Sequence, residues 1–166
     1  MYNESMKLKR EYLQSAMFGF NDALVSTTGV IVGISTGTGN KQVVILACFV
    51  TILVDALSMG TGQYLSSKSV HQLSHNKSFV TSLTSGVIMF CAYFLAGLVP
   101  LAPIFLFPIA WSRYVAIAAA LVGLFTLGYF KGKFVHVSPI RSALEIAIIG
   151  GIATGAGLVV GNIFAV

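Results

Sequence analysis

The sequence predicts an all-α integral membrane protein with five transmembrane helices per protomer. Of its 166 residues, 56% are hydrophobic and 9% are charged, whereas a soluble domain carries roughly a quarter charged residues. The apolar residues gather into five continuous runs, each about long enough to cross a bilayer as a helix. Continuous runs argue against transmembrane β-strands, whose side chains alternate between lipid and lumen.

The apolar runs set the boundaries of the predicted elements. The polar residues 1–14 are predicted to form a short interfacial helix at the cytoplasmic surface, and residues 15–166 form the five-helix transmembrane domain. We expect helices near 16–36, 42–66, 78–99, 108–130 and 141–164. The second helix is expected to project into water. Pro100, Pro103 and Pro108 are predicted to punctuate the third connection.

Basic residues set the predicted orientation. With the N-terminus inside, eight of the ten lysines and arginines lie on the cytoplasmic side, and only Lys41 and Arg113 lie outside. The positive-inside rule therefore predicts an N-in, C-out topology. Because these residues mark helix ends instead of forming one patch, we expect no nucleic-acid partner. The first apolar run contains Asp22 and no clear cleavage site, so we interpret it as a retained helix and not as a signal peptide.

Two acidic residues inside apolar runs are the first candidates for function. Asp22 lies in FGFNDALVSTTGVIVGIS, and Asp55 lies in VVILACFVTILVDALSMGTGQYLS. An ionisable side chain in a membrane segment is energetically costly, so its default interpretation is functional. The alternative for Asp55 is a structural one, in which its carboxylate accepts a hydrogen bond from a neighbouring helix.

Helical spacing gives both aspartates polar companions on their own helices. Asp22 and Ser26 share a face of the first helix. Four residues of the second helix recur every four positions: Thr51, Asp55, Met59 and Gln63. If the two faces meet, carboxylate oxygens and a thioether suit ferrous iron better than magnesium or calcium. Met59 taken alone is more often a core-packing residue than a metal ligand.

Other polar residues carry weaker signals. His71 and His75 share a helix face, but Gln72 stands where the metalloprotease motif requires glutamate. The histidines either concentrate metal at the cytoplasmic side or are solvated. Glu145 lies one turn after Arg141, and we predict a surface ion pair there, with metal binding as the alternative.

Small residues and cysteines predict packing. Cys48 and Cys91 lie in separate apolar runs without metal-ligand spacing, and we interpret both as buried thiols. Glycines of the first and last helices recur every four residues, which lets helices approach closely. This spacing fits packing within one bundle at least as well as a dimer seam. The glycines are Gly29, Gly33, Gly37, Gly151, Gly155, Gly157 and Gly161.

FGFNDALVSTTGVIVGISTG followed by DALSMGTGQYLSSKS resembles the vacuolar iron transporter family, including its small prokaryotic iron/manganese members. Those proteins show a GxxDG-like start to the first helix and A-x-SM-x-x-GEY-x-S in the second. The resemblance extends along the whole chain through the five-span layout. It implies a five-helix protomer that forms a homodimer, with the metal path between the protomers.

The resemblance also implies a function and its residues. Family members export ferrous iron, often also manganese, from the cytosol by proton antiport. The family's first-helix aspartate corresponds to Asp22, and the methionine of the SM pair corresponds to Met59. The implied partners are membrane lipid, protons and transported Fe2+ or Mn2+, without a permanently bound cofactor.

The chain departs from the family pattern at several positions. Ala23 replaces the glycine after the first aspartate, Gln63 replaces the glutamate of GEY, and Thr51 stands where some members are acidic. Asp55 stands where a small residue is usual and is a candidate replacement for the missing carboxylate. The glutamate-rich domain that eukaryotic members insert between helices two and three is missing. This favours a prokaryotic plasma (inner) membrane over a vacuolar-type membrane.

We therefore predict a non-enzymatic exporter of divalent metal. Two other classes of function remain open at this point. In one, Asp22 and Asp55 form an intramembrane aspartyl protease dyad, although neither lies in a Gly-x-Gly-Asp context. In the other, the protein is a non-transporting membrane subunit or a metal-responsive partner whose aspartates pair with another chain.

Overall fold

A computed structural model describes residues 2–73 and 79–165 of the chain. Within them lie five long helices: α1 (Tyr2–Thr38), α2 (Lys41–Leu73), α3 (Phe79–Leu106), α4 (Ile109–Phe134) and α5 (Pro139–Ile163). Each is long and apolar enough to cross a membrane, which confirms the predicted all-α membrane class. The starts of α1, α3 and α5 and the ends of α2 and α4 lie together, at what we call the N-terminal end of the bundle.

The first helix is longer than its apolar run. Because α1 continues without a break from Tyr2, the polar N-terminal residues and the first span share one helix. A helix of 37 residues is about 55 Å long, so its first turns extend beyond a hydrocarbon core of roughly 30 Å. Gly39, at a φ of +59°, ends α1. The side-chain oxygen of Asn40 then accepts the backbone N–H of Gln42 at 2.9 Å and caps α2.

The third helix extends past two prolines. The prediction that Pro100 and Pro103 lie in the connection was wrong, because α3 continues through both to Leu106. Each proline removes one backbone donor, and membrane helices tolerate this loss where neighbouring protein packs around the site. Both prolines are buried. Pro108 does precede α4, as predicted. Helix α2 continues past its predicted span to Leu73, as expected for a helix that projects beyond the membrane.

Helices α1 and α3 form the centre of the bundle. Helix α1 contacts all four others, α2 packs on α3, and α5 packs on α4 and α1. Cys48 is buried in an apolar cluster that includes Ile52 and Leu101, as predicted for a structural thiol. The same prediction was wrong for Cys91, which is exposed on a face of α3 that would meet lipid.

Glycines bring α1 and α5 into backbone contact within one protomer. A Cβ atom added to Gly157 would lie 2.6 Å from the carbonyl oxygen of Gly29, and one added to Gly33 would lie 3.1 Å from the carbonyl oxygen of Gly157. These glycines therefore serve packing within the bundle. Gly151 and Gly155 lie outside this seam, since a Cβ atom there meets nothing within 4 Å.

Candidate functional site

A hydrogen-bonded chain joins three helices at the depth of the two aspartates. The hydroxyl of Tyr93, on α3, donates to Oδ2 of Asp55 on α2 at 2.9 Å. The same hydroxyl lies 2.7 Å from Oγ of Ser26 on α1. Because the tyrosine has one proton and gives it to the carboxylate, Ser26 donates to the phenol oxygen. Tyr93 has no exposed surface, so this chain is held inside the bundle.

Asp22 lies beside this chain, one turn before Ser26 on α1. Both aspartates are half-buried, and the hydrogen bonds that link Ser26 through Tyr93 to Asp55 place them in the same layer of the bundle. Asp22, Ser26, Asp55 and Tyr93 are called the intramembrane cluster below. Two carboxylates in one membrane-embedded region make it attractive to a cation.

Met59 lies next to the intramembrane cluster. It is half-buried on α2, one turn after Asp55, and packs against the apolar cluster that contains Ala23 and Tyr93. Thr51 and Gln63, the other members of the predicted stripe, are half-buried as well. The structure therefore brings together two carboxylates, two hydroxyl groups and a thioether.

One protomer does not supply a complete carboxylate or imidazole shell for a metal. Among the side chains of residues 8–73 and 79–165, no three of His, Cys, Asp or Glu converge on a common point. The intramembrane cluster offers two carboxylates, and Met59 adds one soft ligand. Any ion bound there would take its remaining ligands from hydroxyl groups, from water or from a second copy of the chain.

A second polar cluster lies at the N-terminal end of the bundle, around Glu11 of α1. Oε1 of Glu11 accepts hydrogen bonds from the hydroxyls of Ser67 and Ser85, the latter at 2.8 Å. Oε2 lies 3.8 Å from Nε2 of His71. Oγ of Ser82 lies 3.1 Å from Oγ of Ser67. These five residues of α1, α2 and α3 are called the terminal cluster.

Sequence reasoning missed Tyr93 and Glu11. Tyr93 lies within the apolar run FCAYFLAG. Because a buried phenol needs a hydrogen-bond partner, its hydroxyl indicated a polar contact inside the bundle. Glu11 precedes Asp22 by 11 residues, about three helical turns, which places both acids on one face of α1. That spacing can be seen in the sequence, but the hydrogen bonds from serines of other helices to Glu11 cannot.

The remaining predicted residues lie elsewhere. His75 falls outside the described residues. Glu145 is exposed and lines a groove of about 490 Å³ between α1, α4 and α5, together with Arg10 and Lys131. The predicted ion pair between Glu145 and Arg141 is wrong, because no salt bridge joins these two described side chains. Exposed pairs gain little from association, so the two side chains extend separately.

Replacement of Tyr93 by phenylalanine is expected to destabilise the protein, because Asp55 loses its phenolic donor inside the bundle. The loss should be about 2 kcal/mol, or roughly 5 °C in the midpoint of thermal unfolding. Thermal unfolding of the purified protein in detergent measures this shift of the midpoint. The matched control is Tyr129→Phe on an exposed face of α4. Equal midpoints for the two variants would show that the Tyr93 hydrogen bonds contribute nothing.

The five apolar helices and the two carboxylates within them define the class: an integral membrane protein with an acidic site inside its helical bundle. A sequence profile of the VIT family matches residues 13–78 and 71–162. The chain therefore belongs to the VIT family. The two matched ranges overlap at residues 71–78, between α2 and α3.

Individual relatives carry the same family name. Vacuolar iron transporter 1 of Tulipa gesneriana is 40% identical over 76 residues, which are 45% of this chain and 31% of the relative. Vacuolar iron transporter 1 of Arabidopsis thaliana is 43% identical over 76 residues, or 45% of this chain and 30% of the relative. These two matches thus span about a third of the relatives' length.

A longer match extends over most of the chain. The vacuolar iron transporter of Centaurea cyanus is 24% identical over 208 aligned positions, which cover 88% of this chain and 85% of the relative. Since the chain itself has 166 residues, the alignment includes positions that only the relative fills.

Proposed function

We propose that this protein is a transporter of divalent transition metal, with ferrous iron as its first substrate and manganese as its second. The observation that carries the proposal is the hydrogen-bonded chain that links Asp55 to Ser26, one turn from Asp22, with Met59 packed against the cluster that contains Tyr93. Membership of the VIT family and the names of the relatives support it. The metal is cargo, so the site must bind it and also release it.

The donor set fits that task. Carboxylate oxygens are hard ligands and the Met59 thioether is soft, a combination that suits ferrous iron. The hydrogen bond from Tyr93 occupies Oδ2 of Asp55, and we assign the other carboxylate oxygen, together with Asp22, to the metal. Ser26 orients the phenol, while Thr51 and Gln63 extend the polar face of α2 and can bind waters of the ion's shell.

We propose that the working unit is a homodimer. Two carboxylates and one thioether per protomer leave the ion short of protein ligands, and a second copy would double all three. A groove of about 490 Å³ along α1 and α5 supports this assembly. It is lined on the α1 side by Ser26, Gly29 and Ile34, so a second α1 seated there would lie close to the intramembrane cluster.

We propose export from the cytosol in exchange for protons. Six basic side chains that the structure describes lie at the N-terminal end of the bundle and two at the opposite end, which supports the N-in orientation. In this mechanism ionised Asp22 and Asp55 bind the metal, and their protonation from the acidic side releases it. We place the protein in a prokaryotic plasma membrane, with a vacuolar-type membrane as the alternative.

Flux by the purified protein alone tests the proposal. Proteoliposomes that contain a metal-quenched dye are expected to show anaerobic ferrous uptake, and a pH-sensitive dye is expected to report opposite proton movement. Absence of ferrous and manganous flux would contradict transport and favour a non-transporting subunit. Cleavage of a single-span peptide without metal flux would instead favour the protease function of Asp22 and Asp55.

A further inference from the structure

We propose that Glu11 and His71 form a second divalent-metal site, at the N-terminal end of the bundle, where metal binds before it reaches the intramembrane cluster. The ligand class is a hydrated transition-metal cation that accepts both imidazole and carboxylate. The role as a loading site rests on the proposed transport function. Metal binding by the two side chains does not, and it can be tested separately.

The distance between the two side chains fits one shared ion. Nε2 of His71 lies 3.8 Å from Oε2 of Glu11. Nitrogen and oxygen ligands bound at about 2.1 Å to one metal lie roughly 3 to 4 Å from each other. The observed separation lies within this range, so the two atoms can bind one ion. The side chains of His71 and Glu11 are 16% and 23% exposed, so both are partly accessible from outside the bundle.

The histidine is oriented as metal-binding histidines usually are. Nδ1 of His71 lies 2.9 Å from the backbone carbonyl oxygen of Ser67. The hydroxyl oxygens of Ser67 and Ser82 lie farther from Nδ1, both at 3.3 Å. A carbonyl oxygen only accepts hydrogen bonds, so the shortest contact is made by the tautomer that carries its proton on Nδ1. In the neutral ring Nε2 is then the basic nitrogen, and it is the atom that faces Glu11. A hydrogen bond from the other ring nitrogen to a backbone carbonyl fixes the tautomer and the ring orientation of a metal ligand.

The carboxylate is oriented by serines of two other helices. Ser67 of α2 and Ser85 of α3 both donate to Oε1 of Glu11, which turns Oε2 toward His71. Two protein ligands leave the other coordination positions to water, so binding is weak and exchange is fast. These properties suit a site that loads metal and passes it on.

A row of polar and thioether side chains connects the terminal cluster with the intramembrane cluster. Glu11 and Asp22 are separated by 11 residues of α1, roughly 16 Å along its axis. Met89 of α3 lies between them, with its sulfur 3.1 Å from the Cβ position of Gly19. Every fourth residue of α2 continues the row on one partly or fully buried face: Asp55, Met59, Gln63, Ser67 and His71.

Pulsed electron paramagnetic resonance of bound Mn2+ tests the site directly, in purified protein that carries Asp22→Asn. We expect a nitrogen coupling from one imidazole. His71→Asn should remove it, because asparagine can still donate to the Ser67 carbonyl but lacks Nε2. His136→Asn should retain it, since His136 is exposed at the same end of the bundle. A coupling that survives His71→Asn, or no bound Mn2+, would overturn the site.

Flux measurements test the loading role. Glu11→Gln keeps an oxygen that accepts the serine hydrogen bonds but loses the charge. We expect it to raise the Mn2+ concentration for half-maximal flux about tenfold, with an unchanged maximal rate. An unchanged half-maximal concentration would refute loading. If wild-type protein shows no flux, only the transport function fails and the resonance experiment still decides the site. If flux persists without nitrogen coupling, only the site fails.

Discussion

Replacement of Asp22 by asparagine is expected to lower ferrous flux by roughly a hundredfold, a loss of ~2.7 kcal/mol in the barrier to transport. Asparagine keeps the size of the side chain and its half-buried position on α1 but removes the charge that attracts the metal. It also removes the group that, in the proposed mechanism, exchanges metal for a proton. Initial rates of anaerobic ferrous uptake into proteoliposomes measure the effect at equal amounts of reconstituted protein.

The matched control is Glu145→Gln, which removes one negative charge from an exposed position on α5, outside both polar clusters. We expect its flux to stay near that of the wild type. If Asp22→Asn transports at more than half of the wild-type rate, Asp22 does not bind the transported ion. A similar loss in both variants would indicate a general effect of charge and would equally contradict the assigned role.

Replacement of Gly157 by leucine is expected to disrupt the bundle. A Cβ atom at this position would lie 2.6 Å from the backbone oxygen of Gly29, so α1 and α5 must move apart. Overpacking of this kind costs about 3 kcal/mol, which corresponds to roughly 10 °C in the unfolding midpoint. Fluorescence-detected size exclusion and thermal unfolding in detergent measure the yield of folded protein and its stability.

Gly155 provides the control for this prediction, two residues earlier on the same helix. A Cβ atom there meets nothing within 4 Å, so Gly155→Leu should unfold close to the wild-type midpoint. Both variants carry the same change of glycine to leucine, and helix propensity affects them alike. An unfolding midpoint of Gly157→Leu equal to that of Gly155→Leu would show that α1 and α5 are not in backbone contact.

Much of the fold was predictable because a membrane constrains the sequence directly. Every span must be helical and apolar for about 20 residues, and the five helices follow from that rule alone. The predicted end of the third helix was wrong at Pro100 and Pro103. Proline usually ends a helix in a water-soluble protein, but a helix inside a packed membrane bundle can continue through it. The rule also could not tell whether Cys91 faces lipid or the protein interior, because residues at both kinds of position are apolar.

The candidate site was partly predictable for a related reason. Asp22 and Asp55 were identifiable because charge is costly in a membrane, and helical spacing connected Met59 with Asp55. Tyr93 and Glu11 depend on contacts between helices. Tyr93 joins residues that are 67 and 38 positions away in the sequence, and Ser85 donates to Glu11 across 74 positions. A reading of one helix at a time cannot find such contacts.

The proposed function depends above all on metal binding by Asp22 and Met59. Anomalous scattering from crystals of the full chain soaked in manganous ion tests it most directly, because the signal locates the ion without reference to flux. We expect a peak beside the Asp22 carboxylate and the Met59 sulfur, at the depth of the intramembrane cluster. A structure in which Mn2+ binds elsewhere, with no anomalous peak between Asp22 and Met59, would contradict it.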